Sequence, residues 1–125
     1  MMQHILLIIS VLLGAFASAD DLLDTFVNTD VFELEVAMDP QISPDGSKIA
    51  YVRAANDIMT DSTLNNIWLV SSDGADQRPL LSGTASYSNP RWSHDGNRLA
   101  YLSSAEGRGP QLYVRWMDTG QTALL

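Results

Sequence analysis

The sequence has no cysteine and few basic residues. Without cysteine there can be no disulfide bond, no thiolate nucleophile and no cysteine-ligated metal centre. Lysine and arginine number seven against fifteen aspartate and glutamate residues, so the formal net charge is −8. Phosphate groups repel such a chain, and no cluster of basic residues offsets the charge. The composition therefore argues against nucleic acid and anionic membrane surfaces as partners.

Histidine is equally scarce, and it limits the chemistry further. The two histidines are His4 and His94, which excludes a multi-histidine metal site. The stretch Gly83-Thr84-Ala85-Ser86-Tyr87 lacks the spacing and the second glycine of a nucleophile elbow. The stretch Asp73-Gly74-Ala75-Asp76 lacks the alternating oxygen ligands of a calcium loop and favours a plain turn. No catalytic, cofactor-binding or metal-binding residue is predicted in this chain, and no cofactor.

The amino terminus has the pattern of a secretory signal peptide, predicted over residues 1–19. An apolar run covers residues 5–16, and Ala17-Ser18-Ala19 supplies the small residues that precede a cleavage site after Ala19. The run is shorter than the roughly 20 apolar residues that span a bilayer, so no stable membrane span is expected after cleavage. An uncleaved anchor stays open, because no lysine or arginine precedes the run. The predicted location is the periplasm or the exterior.

Residues 20–38 are predicted to form an acidic leader with a short helix. Seven acidic residues and no basic residue lie between Asp20 and Asp39. Leu22, Leu23, Phe26 and Val27 have the spacing of one helix face. A second turn is expected from Thr29-Asp30 through Glu35, since acidic residues favour the start of a helix.

A repeated stretch then dominates the sequence. Residues 40–51 return fifty positions later as residues 90–101, with eight of twelve positions identical or similar. Each copy has a Ser-x-Asp-Gly turn, at Ser43 and Ser93, followed by a β-rich run that contains an Ala-Tyr pair. Self-similarity at a period of about 40–50 residues is typical of a repeat architecture.

Each copy of the repeat predicts four short antiparallel strands. The first unit is assigned to residues 39–83 and the second to residues 84–125. In the first unit, residues 54–65 are expected to form an irregular polar loop, and the strand containing Pro79 is expected at a sheet edge. A β-sandwich also has short strands, but it seldom carries the same turn-and-strand pattern at a fixed interval. The predicted fold is therefore all-β: two four-stranded blades of an incomplete β-propeller, since propellers have about four to eight blades.

The repeat resembles the blades of periplasmic TolB-like propellers and of prolyl oligopeptidase-family (S9) serine peptidases. Four further stretches are similar to exported S9 dipeptidyl or acylaminoacyl peptidases: residues 32–46, 51–53, 57–68 and 113–120. The resemblance implies a propeller that gates access to an α/β-hydrolase domain acting on short peptides. In the family the catalytic serine, aspartate and histidine lie in that C-terminal domain, which this chain does not contain. No residue matches the acidic pair that some dipeptidyl peptidases use to hold a substrate amino terminus.

The resemblance leaves two main functions open. The first is the N-terminal propeller part of an exported serine peptidase, which scaffolds and gates the enzyme. The alternative is a non-catalytic periplasmic propeller that binds a protein partner, as TolB-like proteins do. Three tryptophans suggest a third, weaker possibility of carbohydrate or cell-surface binding: Trp68, Trp92 and Trp116. Their positions in or beside strands favour packing within or between blades instead.

Two other features invite a functional interpretation. Ser93-His94-Asp95 has the residue types of a hydrolase triad, but adjacent residues on a tight turn cannot place one imidazole between the other two side chains. The first copy has Pro44 at the position of His94, so the position is predicted to be structural. The loop at 54–65, with Asp57 and Asp61, is the segment with the best prospect of contacting substrate or a partner.

Overall fold

The computed structural model describes residues 27, 30, 33–57, 59–104 and 107–125. These residues form two sheets, each a meander of four antiparallel strands, and no α-helix. The strands of the first sheet are β1 (Glu35–Ile42), β2 (Lys48–Asp57), β3 (Ser62–Ser71) and β4 (Gln77–Leu81). The strands of the second sheet are β5 (Tyr87–Trp92), β6 (Arg98–Ser103), β7 (Gln111–Trp116) and β8 (Thr122–Leu124). The predicted all-β class and the two four-stranded units are confirmed.

The two sheets are built on the same register. Tyr51 of β2 pairs with Trp68 of β3, and Tyr101 of β6 pairs with Tyr113 of β7. Position 51 thus corresponds to position 101, and position 68 to position 113. Pro79 lies in β4, at the edge of its sheet. Because no strand lies beyond β4, the missing N–H of proline interrupts no hydrogen bonds to a further strand.

Each sheet has two faces, because successive side chains of a strand point to opposite sides. We call one of them the leading face; in the first sheet it carries Ala50, Val52, Ile67 and Leu69, and in the second Ala100, Leu102, Leu112 and Val114. We call the other the trailing face; in the first sheet it carries Ile49, Tyr51, Trp68 and Val70, and in the second Leu99, Tyr101 and Tyr113.

The core lies between the two sheets. The leading face of the first sheet packs against the trailing face of the second, where Leu99 and Tyr101 join the buried cluster. Ala50, Ile67 and Leu99 are fully buried. Small Ala50 leaves room for large side chains of the facing sheet, as interdigitated sheets require. The rings of Tyr101 and Tyr113 stack with centroids 5.8 Å apart, and burial raises the pKa of Tyr101 above its usual value.

Two predictions of the sequence analysis are wrong in the described residues. Glu35, expected at the end of a helical turn, begins β1, and Val36, Ala37 and Met38 of the predicted leader continue the strand by pairing with β2. Long-range pairing overrides the weak local helical pattern here. The rest of the predicted leader and the predicted signal peptide lie outside the described residues, apart from positions 27, 30, 33 and 34.

The second wrong prediction is the irregular loop at 54–65. Its residues instead extend β2 and β3 into a long hairpin, with Ala54 opposite Asn65 and Asp57 opposite Ser62. Polar side chains pair across the two arms; the Thr63 hydroxyl, for example, donates to the Asn56 side-chain oxygen at 3.1 Å. The polarity of the segment reflects exposure of a hairpin to solvent and not a loss of regular structure. No helix among the described residues is long and apolar enough to cross a membrane.

Candidate functional site

The two Ser-x-Asp-Gly turns have the same internal hydrogen bonds. In the first, the Ser43 hydroxyl donates to Asp45 Oδ1 at 2.6 Å and accepts from the Lys48 main-chain N–H at 3.0 Å. In the second, the Ser93 hydroxyl donates to Asp95 Oδ1 at 2.5 Å and accepts from the Arg98 N–H at 3.0 Å. Serine and aspartate are thus required by the turn itself, because they satisfy main-chain groups between the strands.

These hydrogen bonds also stabilise the charged form of each aspartate. The Ser43 hydroxyl, the main-chain N–H of Ser47 and the Ser47 hydroxyl lower the pKa of Asp45 from 3.8 to about 2. The Ser93 hydroxyl and the Asn97 N–H lower the pKa of Asp95 in the same way. Both carboxylates are ionised at neutral pH, so they can accept protons only in strongly acidic solution.

The Ser-His-Asp sequence of the second turn does not form a triad. The Ser93 hydroxyl donates a hydrogen bond directly to the Asp95 carboxylate, so no imidazole stands between them. His94 is exposed at the position that Pro44 occupies in the first turn. The second turn thus has the same internal hydrogen bonds as the first, whether histidine or proline stands at its second position.

A polar cleft of about 310 Å³ lies where the two turns approach each other. It is lined by carboxylates from three turns, those of Asp45, Asp95 and Asp118, with Lys48 as a basic neighbour. Trp92 and Met117 form its apolar part. Among the described residues no group of histidine and acidic side chains is arranged to hold a metal ion. The cleft offers charge and hydrogen-bond acceptors. Its Ser43 hydroxyl donates to Asp45, but the low pKa of that carboxyl makes it a poor base for activating a nucleophile.

Trp92 and Arg91 connect the two sheets beside this cleft. The Trp92 indole Nε1 donates to the Gln41 carbonyl oxygen at 3.0 Å. Arg91 Nη1 lies 2.8 Å from Asp39 Oδ2, and Asp39 also accepts a hydrogen bond from the Gln41 side chain at 2.9 Å. These contacts join β5 of the second sheet to β1 of the first, the two strands that approach each other at one edge of the stack.

Both of these strands carry a β-bulge at the same point of the repeat. The register shifts between Met38 and Gln41 in β1 and between Ser88 and Arg91 in β5. Asp39 and Asn89 have φ values of 48° and 53°, in the left-handed region that asparagine and aspartate tolerate best among non-glycine residues. The sequence analysis missed this feature. The sequence signal for the bulge was the pair before each repeat: Asp-Pro at 39–40 and Asn-Pro at 89–90.

The other two tryptophans do not form a ligand platform with Trp92. Trp68 lies on the trailing face of the first sheet, where the Arg53 guanidinium stacks over its ring at 4.2 Å. Arg53 in turn pairs with the Glu35 carboxylate. Trp116 ends β7, and its main-chain N–H donates to the Gln121 carbonyl in the next turn. Each tryptophan is half-buried within the blades, as the preference for packing predicted.

Asp57 and Asp61, the favoured contact residues of the sequence analysis, lie at the tip of the β2–β3 hairpin. Asp57 accepts hydrogen bonds from the Met59 N–H at 2.9 Å and from the Thr60 hydroxyl at 2.8 Å, and these bonds lower its pKa. Asp61 has a positive φ of 48°. Asp57 therefore closes the turn, and Met59, which is 90% exposed, is the apolar residue that the tip presents to solvent.

The architecture is that of two adjacent β-propeller blades, and comparison with solved structures supports it. The chain superposes on an acylaminoacyl peptidase with a TM-score of 0.64 and 19% identity, covering 77% of this chain and 14% of that one. It superposes on the propeller domain of the trilobed protease from Pyrococcus furiosus with a TM-score of 0.59 and 20% identity, covering 74% and 27% of the two chains.

Sequence comparison identifies relatives of the same kind. The chain is 34% identical over 96 residues to the uncharacterised peptidase YuxL of Bacillus subtilis, covering 77% of this chain and 15% of YuxL. It is 35% identical over 66 residues to dipeptidyl-peptidase 5 of Porphyromonas endodontalis, covering 53% and 10% of the two chains. A Tol-Pal system protein TolB of a Polaromonas species is 37% identical over 60 residues, covering 48% and 14%. No family model matches the chain.

Together the fold and these relatives confirm the resemblance on which the sequence analysis relied. The chain is similar to the propeller part of prolyl oligopeptidase-family (S9) peptidases. It spans only 10–15% of the length of the two peptidases that it matches in sequence.

Proposed function

We propose that this chain forms part of the propeller of an exported serine peptidase that acts on short peptides. The observation that carries the proposal is the 34% identity to peptidase YuxL over 96 residues, a length that exceeds a single blade. A match of 96 residues requires similarity between the two sequences well beyond a single Ser-x-Asp-Gly turn. The dipeptidyl-peptidase 5 match points to the same class of enzyme.

In this proposal the chain gates and supports a catalytic domain and does not itself react. The Ser43 and Ser93 hydroxyls each donate a hydrogen bond to a carboxylate of their own turn, and the lowered pKa values of Asp45 and Asp95 make these carboxylates weak bases. The catalytic serine, aspartate and histidine would belong to an α/β-hydrolase domain elsewhere in the full-length protein. The chain would contribute a rigid wall to the propeller, which admits short peptides and keeps folded proteins away from the catalytic residues.

The edge where β1 and β5 approach each other is the part of the chain best suited to line such a passage. Bulges twist both strands there, and Asp39 and Arg91 place opposite charges side by side. Polar, partly paired side chains can contact the main chain of many different peptides without selecting one sequence. The passage would therefore select substrates by size more than by side chain.

The test is activity of the full-length gene product that contains these 125 residues. We expect it to hydrolyse short peptide amides, to be inactivated by a serine-directed phosphonate, and to carry the label outside residues 1–125. The 125-residue chain alone is the matched control and should neither hydrolyse nor be labelled. Hydrolysis or labelling by the chain alone would contradict the proposal, and so would a full-length product without peptidase activity.

A second candidate is a non-catalytic periplasmic propeller that binds a protein partner. The TolB match over 60 residues favours it, although that match is shorter than the one to YuxL. Under this alternative the full-length product would contain only further blades, would hydrolyse no peptide amide and would not react with the phosphonate.

A further inference from the structure

A third Ser-x-Asp-Gly sequence lies outside the repeated stretch, at residues 71–74 between β3 and β4. Its main chain follows the same path as the two repeated turns. The Gly74 N–H donates to the Ser71 carbonyl oxygen at 2.8 Å, and the glycine of each repeated turn donates to its own serine at 2.8 or 2.9 Å. The three glycines also have similar positive φ values, of 74°, 80° and 72° in chain order. The three turns can therefore be compared side chain by side chain.

The carboxyl groups of the three aspartates are held differently. In each turn the aspartate Oδ1 accepts the main-chain N–H two residues ahead, at 3.0 Å. The aspartates of the two repeated turns also accept the hydroxyl of their own serine, at 2.6 Å and 2.5 Å. Among the hydrogen bonds of the described residues, none joins the Ser71 hydroxyl to Asp73, whose carboxyl is held by the Ala75 N–H alone.

This difference matters because an aspartate that precedes glycine can react with the next peptide group. The glycine nitrogen attacks Cγ of the aspartate, the new N–Cγ bond closes a five-membered succinimide ring, and the carboxyl hydroxyl leaves with the amide proton as water. A second water molecule then breaks the bond between this nitrogen and the main-chain carbonyl carbon. The product is isoaspartate, whose main chain runs through Cγ and whose former carbonyl group is a free carboxylate. Glycine favours the attack because it has no Cβ to obstruct the nitrogen.

We propose that Asp73 is the reactive one of the three Asp-Gly sites and is converted to isoaspartate through a succinimide with Gly74. The carboxyl group must leave its hydrogen bonds before Cγ can meet the nitrogen. Asp73 has one such bond to break, whereas the other two aspartates have at least two. Each additional bond to a charged group should slow the reaction by about ten-fold or more. All three aspartates are exposed, so access to water does not distinguish them.

The charge of the other two carboxyl groups acts in the same direction. Hydrogen bonds, the strongest of them from Ser43, lower the pKa of Asp45 to about 2, and those led by Ser93 lower the pKa of Asp95. The first step needs a neutral carboxyl group, because an ionised carboxylate is a poor electrophile. The serine hydroxyls therefore protect these two aspartates both by position and by charge.

The conversion would alter a turn that contacts its neighbour. The Ser72 N–H donates to the Ser47 carbonyl of the first turn at 2.9 Å, and the Ser71 N–H donates to the Asp76 carbonyl at 3.0 Å. Isoaspartate adds one carbon to the main chain between Ser71 and Asp76, so it changes the connection of β3 to β4. This inference does not depend on the proposed peptidase activity.

The test uses the full-length gene product that contains this chain, aged in warm buffer at neutral pH. Isoaspartate is counted with an isoaspartate methyltransferase and labelled S-adenosylmethionine. Because the conversion leaves the mass unchanged, the modified peptide is located by electron-transfer fragmentation in a mass spectrometer. We expect isoaspartate to accumulate at position 73 about ten-fold faster, or more, than at positions 45 and 95. D73E should remove the signal at this position, because the longer side chain does not close a five-membered ring.

S93A is the matched variant, because it gives Asp95 the same hydrogen bonding as Asp73. It removes the serine hydroxyl and leaves the Asn97 N–H in place. Isoaspartate at position 95 should form about ten-fold faster in S93A, whereas S93T keeps the hydroxyl and should keep the original rate. Position 73 is the internal reference in both variants. If S93A lowers the thermal midpoint, S47A replaces it, since the exposed Ser47 hydroxyl donates to both carboxyl oxygens of Asp45 and its loss should speed conversion at position 45.

Several results would overturn the proposal. One is the absence of isoaspartate at position 73 in the aged protein, and another is a similar or higher rate at position 45 or 95. An unchanged rate at the affected aspartate in the folded serine variant would also overturn it, because the hydroxyl would then not be what protects that aspartate.

Discussion

The indole of Trp92 donates a hydrogen bond to the main-chain oxygen of Gln41, a residue 51 positions earlier in the sequence. This bond joins the first strand of one sheet to the first strand of the other. Since Gln41 and Trp92 occupy neighbouring positions in the two copies of the repeat, the bond depends on the two copies stacking as adjacent blades. Several consequences of that arrangement can be measured.

Replacing Trp92 by phenylalanine should weaken the stack. The ring is largely kept, but the donor to the Gln41 oxygen is lost, which should lower the free energy of unfolding by about 1 kcal/mol. Urea unfolding followed by circular dichroism at a fixed protein concentration measures the change. W116F is the matched control, since Trp116 takes no part in the contact between sheets, and it should have the smaller effect. Equal losses in the two variants would mean that the hydrogen bond is not important for stability.

Replacing Leu99 by alanine should be far more damaging. Leu99 is fully buried between the sheets, so its removal leaves a cavity and should cost about 2–5 kcal/mol. The control is M59A, which shortens a side chain that is 90% exposed and should change the unfolding free energy by less than about 0.5 kcal/mol. The same urea unfolding measurement applies. A loss below about 1 kcal/mol for L99A would show that the sheets do not pack through this residue.

Acid should weaken the first turn through Asp45. Its pKa is about 2 in the folded chain and near 3.8 without the turn, so the folded value is the lower one. Ionised Asp45 therefore stabilises the fold above about pH 4, and this contribution is lost as the pH falls through about 2. We expect D45N to be less stable than the unaltered chain at neutral pH, with the difference shrinking as the pH approaches 2.

Unfolding midpoints at a series of pH values between 2 and 6 check this expectation. D76N removes the same charge from an exposed turn, where Asp76 Oδ2 lies 3.6 Å from Arg78 Nε, and it serves as the matched control. A difference between D45N and the unaltered chain that stays constant over this range would contradict the expectation, because the turn would then not favour the charged carboxylate.

Export should remove the first 19 residues. Ala17-Ser18-Ala19 has the small side chains that precede a cleavage site, so the exported protein is expected to begin at Asp20. Amino-terminal sequencing of the exported protein measures this. A17D should block cleavage, whereas S18D, at the middle position of the site, should not. An exported protein that still begins at Met1 would favour the anchor alternative.

The repeat accounts for most of what the sequence could predict about the fold. Comparing residues 40–51 with 90–101 located both Ser-x-Asp-Gly turns and the β-rich run after each of them, which forms part of β2 in the first copy and of β6 in the second. Local chemistry was sufficient there, because turn residues and β-branched or aromatic residues coincide with the final structure.

The misses have a common cause in long-range pairing. Ala54 and Asn65 belong to an extended hairpin because they face each other across β2 and β3, although the segment is polar enough to suggest a loop. Residues 35–38 form strand because β2 offers them a pairing edge. The contact of Asp39 with Arg91 needed the bulge, the positive φ and the stacking of the sheets together, and no single-sequence pattern contains all three. The cleft between the two turns was missed for the same reason, since Asp118 enters it from a third turn.

The central claim is that the two copies of the repeat fold as adjacent blades, with the leading face of the first sheet against the trailing face of the second. Nuclear Overhauser effects between the methyl groups of Ile67 or Leu69 and the ring protons of Tyr101 test it most directly. We predict cross-peaks between these groups, together with a slowly exchanging Trp92 indole proton. Two folded sheets without any cross-peak between them would contradict the account.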